Sequence, residues 1–244
     1  LDTLHKIEKE YNEELSYLET KLQTMAKEAM GDTPINLSSP DDRSVLLYSR
    51  KVKDKSLWSM TFNLGHEMRG NTMKPKLRTR MKNNDFIRNV RNMTDVNYKT
   101  IGSRCITCMG KGRIKKFNKN GELSKAIRVC RPCVGKGIVY TPTNEVAGFK
   151  IVPRNPRDTA SAGFKTDKVT LEDRSTELSG DAREFCVAYS RYNAIRTYLS
   201  TFVEGMKNNV DDNNFVHPEF MQCVTATGRL SSRNPNFQNM PRGS

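Results

Sequence analysis

Acidic residues are scarce in the middle of this 244-residue sequence: residues 70–157 hold 4 Asp and Glu against 21 Lys and Arg. The formal charge of +14 is therefore concentrated in one stretch, a distribution that points to a polyanionic partner rather than to solubility alone. No run of eighteen apolar residues occurs, which excludes a membrane-spanning helix. The N-terminus has no basic start followed by an apolar stretch, which argues against a secretory leader. Hydrophobic residues make up 36% of the chain, enough for a lean core in one large or two small domains. Disulfides are disfavoured without a leader, so the four cysteines that occur as two Cys-x-x-Cys pairs read as metal ligands. The two lone cysteines, Cys186 and Cys223, read as small buried hydrophobes.

Apolar residues recur at steps of three and four from Leu4 through Leu18, Leu22 and Met25 to Ala29, which predicts a long amphipathic helix over about residues 2–30, ended near Gly31. In "INLSSPDDRSVLLYSRK", Ser39 can cap a short helix over about 40–50, with Pro40 in its first position and Asp41 and Asp42 at the positive end of its dipole. Phe86, Ile87, Val90 and Met93 form one modest apolar face and predict another short helix. The stretch "VPRNPRDTASAGFKTD" is rich in Pro, Ser, Gly and Thr and reads as a linker or loop. A second long helix follows, capped by Ser179 and periodic from Phe185 to Met206, with Arg191 and Arg196 off most of its apolar stripe. "NFVHPEFMQCVTATG" is β-branched and aromatic with an internal Pro, which suggests two short strands.

"CITCMGKG" at 105–112 and "CRPCVGKG" at 130–137 share the pattern Cys-x-x-Cys-x-Gly-x-Gly. A Cys-x-x-Cys turn lets two thiolates reach one tetrahedral Zn²⁺, and the glycines let the chain fold back so that amides donate to sulfur. Between them, "GRIKKFNKNGELSKAIRV" predicts two strands joined at Asn120-Gly121. Knuckle, hairpin and knuckle together describe a zinc ribbon with Cys105, Cys108, Cys130 and Cys133 as a closed structural site. Redox chemistry would want one Cys-x-x-Cys at a helix start, and a catalytic zinc would keep one position open. The knuckles resemble the cysteine-rich domain of J-domain co-chaperones, but only two copies occur here and no "HPD" is present. Basic residues from Lys111 to Lys136 crowd the ribbon, so it is either a phosphate-contacting module or a metal-stapled insertion that only folds itself.

The C-terminal "HPEFMQCVTATGRLSSRNPNFQNMPRG" is polar, amide-rich and aperiodic, an ordered loop rather than a core element. Arg229 is a forked donor, and Asn236, Gln238 and Asn239 are amides; all can reach phosphates or the acceptors that every base pair shows in the minor groove. Alternatively, some of these amides only tie the loop together. The segment resembles the motif of family A DNA polymerases in which an aromatic-x-Gln element (Phe220 to Gln222) leads to Thr-Gly-Arg-Leu-Ser-Ser (Thr227 to Ser232) and then Asn-Pro-Asn-x-Gln-Asn-x-Pro (Asn234 to Pro241). "INLSSPDDRSVLLYSRK" is similar to the Asn-x-Ser-Ser-Pro segment of the polymerase thumb, and residues 180–207 fall where the second long thumb helix is expected.

The resemblance implies an α+β chain: long thumb helices, a small zinc-ribbon hairpin insertion and the first short strands of the palm. Its expected divisions are thumb at 1–65, basic insertion at 66–150 with the ribbon at 105–140, linker at 151–178, second thumb helix at 179–210 and palm with the primer-template loop at 211–244. It implies a DNA-directed DNA polymerase, phage or viral in type, whose primer-template DNA is held by Thr227, Arg229, Ser231, Asn236, Gln238, Asn239, Arg191 and Arg196. The Asp-Tyr-Ser-Gln-x-Glu-x-Arg setting of the first catalytic carboxylate does not occur in these residues. The expectation is therefore an internal piece, inactive alone, with structural Zn of its own and Mg used by the parent enzyme. A processivity or replisome protein docking on the insertion, the absence of a membrane partner, and location in the cytoplasm, of the host if viral, complete the expectations. The alternative is a non-enzymatic zinc-ribbon adaptor that binds nucleic acid.

Overall fold

Helix α1 spans Asp2–Met30 in the computed structural model, which describes residues 2–69, 72–75, 81–117, 123–222 and 228–236. Its buried positions Leu18, Leu22, Ala26 and Met30 are four apart, the period that keeps one stripe on one face. The helix ends where expected, at Gly31, whose φ of +78° turns the chain out of the helix. The rest is helices and small two-stranded antiparallel sheets, an α+β chain as anticipated. It divides into two units, residues 23–184 and residues 1–22 with 185–244.

In the unit of residues 23–184, α2 covers Pro40–Tyr48, with Pro40 in the first turn and the Ser39 hydroxyl accepting from the Asp42 amide at 3.3 Å. Strand β1 (Arg50–Val52) follows, then α3 (Lys55–Thr61), capped by the Asp54 carboxylate. A hairpin of β2 (His66–Arg69) and β3 (Thr72–Pro75) leads to α4 (Asn83–Met93) and to β4 (Thr94–Val96), which pairs with β1. Phe86 and Val90 of α4 are buried as its periodicity indicates, whereas Ile87 is 46% exposed. The lobe beyond nests one hairpin in another: β5 (Tyr98–Arg104) pairs with β8 (Ile138–Val146), and between them β6 (Arg113–Phe117) pairs with β7 (Leu123–Val129). The inner pair is the one read from sequence; its Asn120-Gly121 turn lies outside the described residues. After the lobe the chain returns to α2, where Phe149 and Ile151 donate backbone hydrogen bonds to the carbonyls of Leu46 and Leu47.

Residues 152–167, which compose like a linker, form a short 3₁₀ turn at Pro156–Asp158 and the hairpin of β9 (Thr159–Ala160) and β10 (Gly163–Phe164). Helix α5 (Lys168–Glu177), capped by Asp167, follows, an element the composition concealed. Phe164 enters an aromatic chain: its ring lies 4.7 Å from Tyr48 and 5.2 Å from Trp58, Trp58 lies 4.6 Å from Phe62, and Phe62 lies 5.7 Å from Phe86. All five rings are buried, and the Trp58 indole N–H donates to the Ala160 carbonyl at 2.8 Å. Arg174 of α5 is buried but paired at 2.7 Å with Asp158, so its charge is compensated where it is taken out of water.

In the other unit, α6 (Gly180–Thr197) continues through a π-helical stretch at Tyr198–Val203 into α7 (Glu204–Lys207). The expected single helix is thus widened for six residues, a local insertion that hydrophobic period does not register. Phe185, Cys186, Ile195 and Val203 are buried, and Tyr11 stacks on Tyr198 with centroids 6.0 Å apart. Two ion pairs, Glu14 with Arg191 and Glu8 with Lys207, tie residues of α1 to this helical run. Strands β11 (Glu219–Met221) and β12 (Ser231–Arg233) close the described chain as an antiparallel pair.

Candidate metal centre and nucleic-acid interface

The two knuckles fold back on one another reciprocally. Cys105 N–H donates to the Gly137 carbonyl and Cys130 N–H to the Gly112 carbonyl, each at 2.9 Å. A Cβ on Gly112 would sit 2.1 Å from the Gly135 oxygen, and one on Gly137 would sit 2.2 Å from the Gly110 oxygen, so backbone approach requires the second glycine of each Gly-x-Gly, and positive φ favours all four. The result brings Cys105, Cys108, Cys130 and Cys133 together with every Sγ within 4.8 Å of the others. All four are buried, and Ile114 and Val139 pack against them. Cross-knuckle sulfur distances are 3.7 Å for Cys105–Cys130 and 3.6 Å for Cys108–Cys133, and Gly112 N–H points at the Cys108 sulfur at 3.2 Å. Four sulfurs of a tetrahedral ion with bonds of about 2.3 Å would stand about 3.8 Å apart, so the donor set fits a metal ion of that kind.

The amide of Cys108, with the neighbouring thiols, pulls the Cys105 thiol down to about 7, whereas burial pushes Cys130 up to about 12. Thiols crowded this closely cannot all ionise without a cation among them. Cys186 is different: it is buried, and desolvation raises its thiol to about 11, in keeping with a packing residue. Cys223 lies outside the described residues.

The residues expected on DNA are placed as follows. Arg229 is exposed just before β12, Ser231 is half-buried in β12, and Asn236 is exposed beyond it, with its side-chain oxygen accepting from the buried Ser232 hydroxyl at 3.5 Å. Glu219 of β11 accepts from Arg233 at 2.6 Å and from Asn234 at 3.1 Å, which draws its carboxyl below the usual range and steadies the strand pair that carries Ser231. Thr227, Gln238 and Asn239 lie outside the described residues. Arg191 and Arg196 are both exposed on α6, but the Arg191 fork is bidentate to Glu14 at 2.7 and 2.8 Å and lies over the Tyr11 ring. This pair draws the Glu14 carboxyl below its usual value through the Arg191 hydrogen bond. Neither Glu14 nor Glu219 stood out in the sequence; Glu14 is 177 positions from its partner. Among the described residues the four cysteines are the only His, Cys, Asp and Glu side chains grouped as a metal site.

The model of DNA polymerase family A matches residues 148–244, the stretch that contains β12 and its polar flanks. DNA polymerase I of Synechocystis sp. is 39% identical over 80 residues, 32% of this chain and 8% of that protein. DNA polymerase I of Treponema pallidum is 55% identical over 42 residues, 17% of this chain and 4% of that protein. The DNA polymerase of Bacillus phage SP01 is 33% identical over 136 residues, 54% of this chain and 14% of that protein. The chain thus matches only a small part of the length of these polymerases. The four cysteines precede the residues that the polymerase family model covers.

Proposed function

We propose that this chain holds primer-template DNA as part of a family A DNA-directed DNA polymerase. The observation that carries the reading is the coincidence of the family match with the Thr-Gly-Arg-Leu-Ser-Ser and Asn-Pro-Asn-x-Gln-Asn segment, whose Arg229 and Asn236 are exposed. A polymerase must hold duplex of any sequence, and a guanidinium beside amides and hydroxyls suits phosphate and minor-groove acceptors that all base pairs share. Thr227, Ser231, Gln238 and Asn239 join Arg229 and Asn236 in that contact, and Arg196 adds a backbone contact from α6. Arg191 adds one only by leaving Glu14. The family match does not favour the reading as a non-enzymatic adaptor.

In this reading residues 1–65 and 179–210 are thumb, 211–244 begin the palm, and 66–150 are an insertion joined by 151–178. The insertion is a zinc ribbon in which Cys105, Cys108, Cys130 and Cys133 hold one Zn²⁺. With four thiolates the ion has no open position, so it supplies a cross-link and no catalysis. In the parent enzyme Mg²⁺ would stabilise the charge of the transferred phosphoryl group. No carboxylate cluster among the described residues fits Mg²⁺, so no step of the reaction is assigned to them. Titration of mixed-sequence duplexes tests the reading: Arg229→Ala weakens binding similarly for every sequence and lowers the slope of log affinity against log salt by about one. An unchanged isotherm removes Arg229 from the contact.

A further inference from the structure

The lobe that carries the four clustered cysteines presents a surface that the polymerase motif does not use. Between residues 96 and 144 the only carboxylate in the sequence is Glu122. Lys111, Arg113, Lys115, Arg128, Arg131 and Lys136 are all exposed there, and none is in an ion pair among the described residues. Elsewhere in the unit Lys53 is matched by Asp95 and Lys99 by Glu145. The close approach of Gly112 to Gly135 and of Gly137 to Gly110 runs the Gly-Lys-Gly of one knuckle against that of the other, which sets Lys111 beside Lys136. A zinc ion with four thiolates leaves two negative charges at the centre, too few to balance six cations around it.

Like charges gathered without a counter-ion on a rigid, metal-fitted scaffold suit an anionic polymer, which replaces their mutual repulsion with contacts and releases bound counterions. The exposed large hydrophobics around the knuckles are aliphatic: Ile106, Met109, Ile127 and Val134 are among them. Single strands are bound by stacking bases on aromatic rings, a contact that Ile106, Met109, Ile127 and Val134 do not offer. Aliphatic side chains beside cations instead suit the deoxyribose and phosphate edge of a duplex, and a two-stranded ribbon such as β6–β7 has the width to enter its major groove. We propose that the exposed surface of the cysteine lobe is a second, sequence-independent binding site for the phosphodiester backbone of duplex DNA, centred on Lys111, Arg131 and Lys136.

The site does not depend on the contact at Arg229, and the test separates the two. A mixed-sequence duplex of about 30 base pairs is titrated into the 244-residue chain at several salt concentrations. The triple variant Lys111→Ala/Arg131→Ala/Lys136→Ala keeps its metal content but loses about 2.7 from the salt slope, at about 0.9 per phosphate contact. The milder Lys111→Gln/Lys136→Gln, which removes the charge but keeps a polar side chain, loses about 1.8 by the same rule. A single strand of the same sequence is bound more weakly than the duplex. The proposal is overturned if both variants keep the parent's slope, if the chain binds no duplex at about 50 mM salt, or if the loss appears only with the single strand. Unchanged duplex binding in both variants would shift the lobe toward a protein partner. A loss in the lobe variants with Arg229→Ala unchanged would sink the contact at Arg229 and leave the lobe site standing.

Discussion

Around Trp58 the chain buries five aromatic rings, from Tyr48, Trp58, Phe62, Phe86 and Phe164, whereas around Cys105 its buried side chains are four thiols with Ile114 and Val139 at the edge. Both regions belong to the unit of residues 23–184. Burial of a large apolar side chain stabilises by about 1.5–3 kcal/mol, so the aromatic cluster offsets the ordering of segments as far apart as residues 48 and 164. Among its described residues the lobe shows no comparable area, while ordering each residue costs about 1–2 kcal/mol. In the proposed reading, ion ligation supplies what apolar area does not. The difference also bears on function: the described residues of the lobe keep few apolar groups inside and expose their cations.

Metal removal should separate the two regions most sharply. Structural zinc in small domains is worth about 10–16 kcal/mol. Elemental analysis of the native chain is expected to give about one zinc per molecule. After treatment with a strong chelator, amides of residues 98–146 are expected to exchange rapidly while Trp58 fluorescence keeps its buried character. Persisting protection in a metal-free lobe would mean that the thiols hold the lobe unaided. The reciprocal change, Trp58→Ala, removes the ring that touches both Phe62 and Phe164. It should cost about 3–5 kcal/mol in urea unfolding and leave the zinc content at its original value. A cost below about 1 kcal/mol would remove the aromatic cluster from its role.

The smallest effect belongs to a surface pair that scales the other two. Glu14→Gln leaves Arg191 without its carboxylate and should cost about 0.5 kcal/mol, a value already reduced for the exposure of both side chains. Arg191 holds the folded-state pKa of Glu14 below its ordinary 4.5. The contribution is therefore fully present above about pH 4.5 and is lost as pH falls through the lower folded value. Unfolding curves of the parent and Glu14→Gln chains should converge in acid; a constant gap across pH would place the effect in packing.

Helices α1 and α2 and the clustering of the four cysteines are legible in the sequence because each is written locally: a four-residue stripe, a Ser-Pro-Asp-Asp start and a repeated Cys-x-x-Cys-x-Gly-x-Gly. The β5–β8 pairing is not, because its strands pair across the whole inner hairpin, Arg104 opposite Ile138, with no turn signal between them. Phe164 is hidden by the Pro, Ser and Gly around it, although one ring in such a stretch reaches the core through the short β9–β10 hairpin. The π-helical turn at Tyr198–Val203 leaves no mark on composition. At the polar C-terminal segment the motif identifies the residues, but the role of Glu219 in steadying β11 against β12 is a tertiary fact.

A chain that holds duplex DNA without reading its sequence should treat all duplexes alike. Equilibrium titration with several duplexes of unrelated sequence, repeated across salt concentration, measures this. Equal affinities and equally steep salt slopes are expected for all of them; binding to one sequence alone, or to none, would be incompatible with a polymerase grip on the DNA backbone.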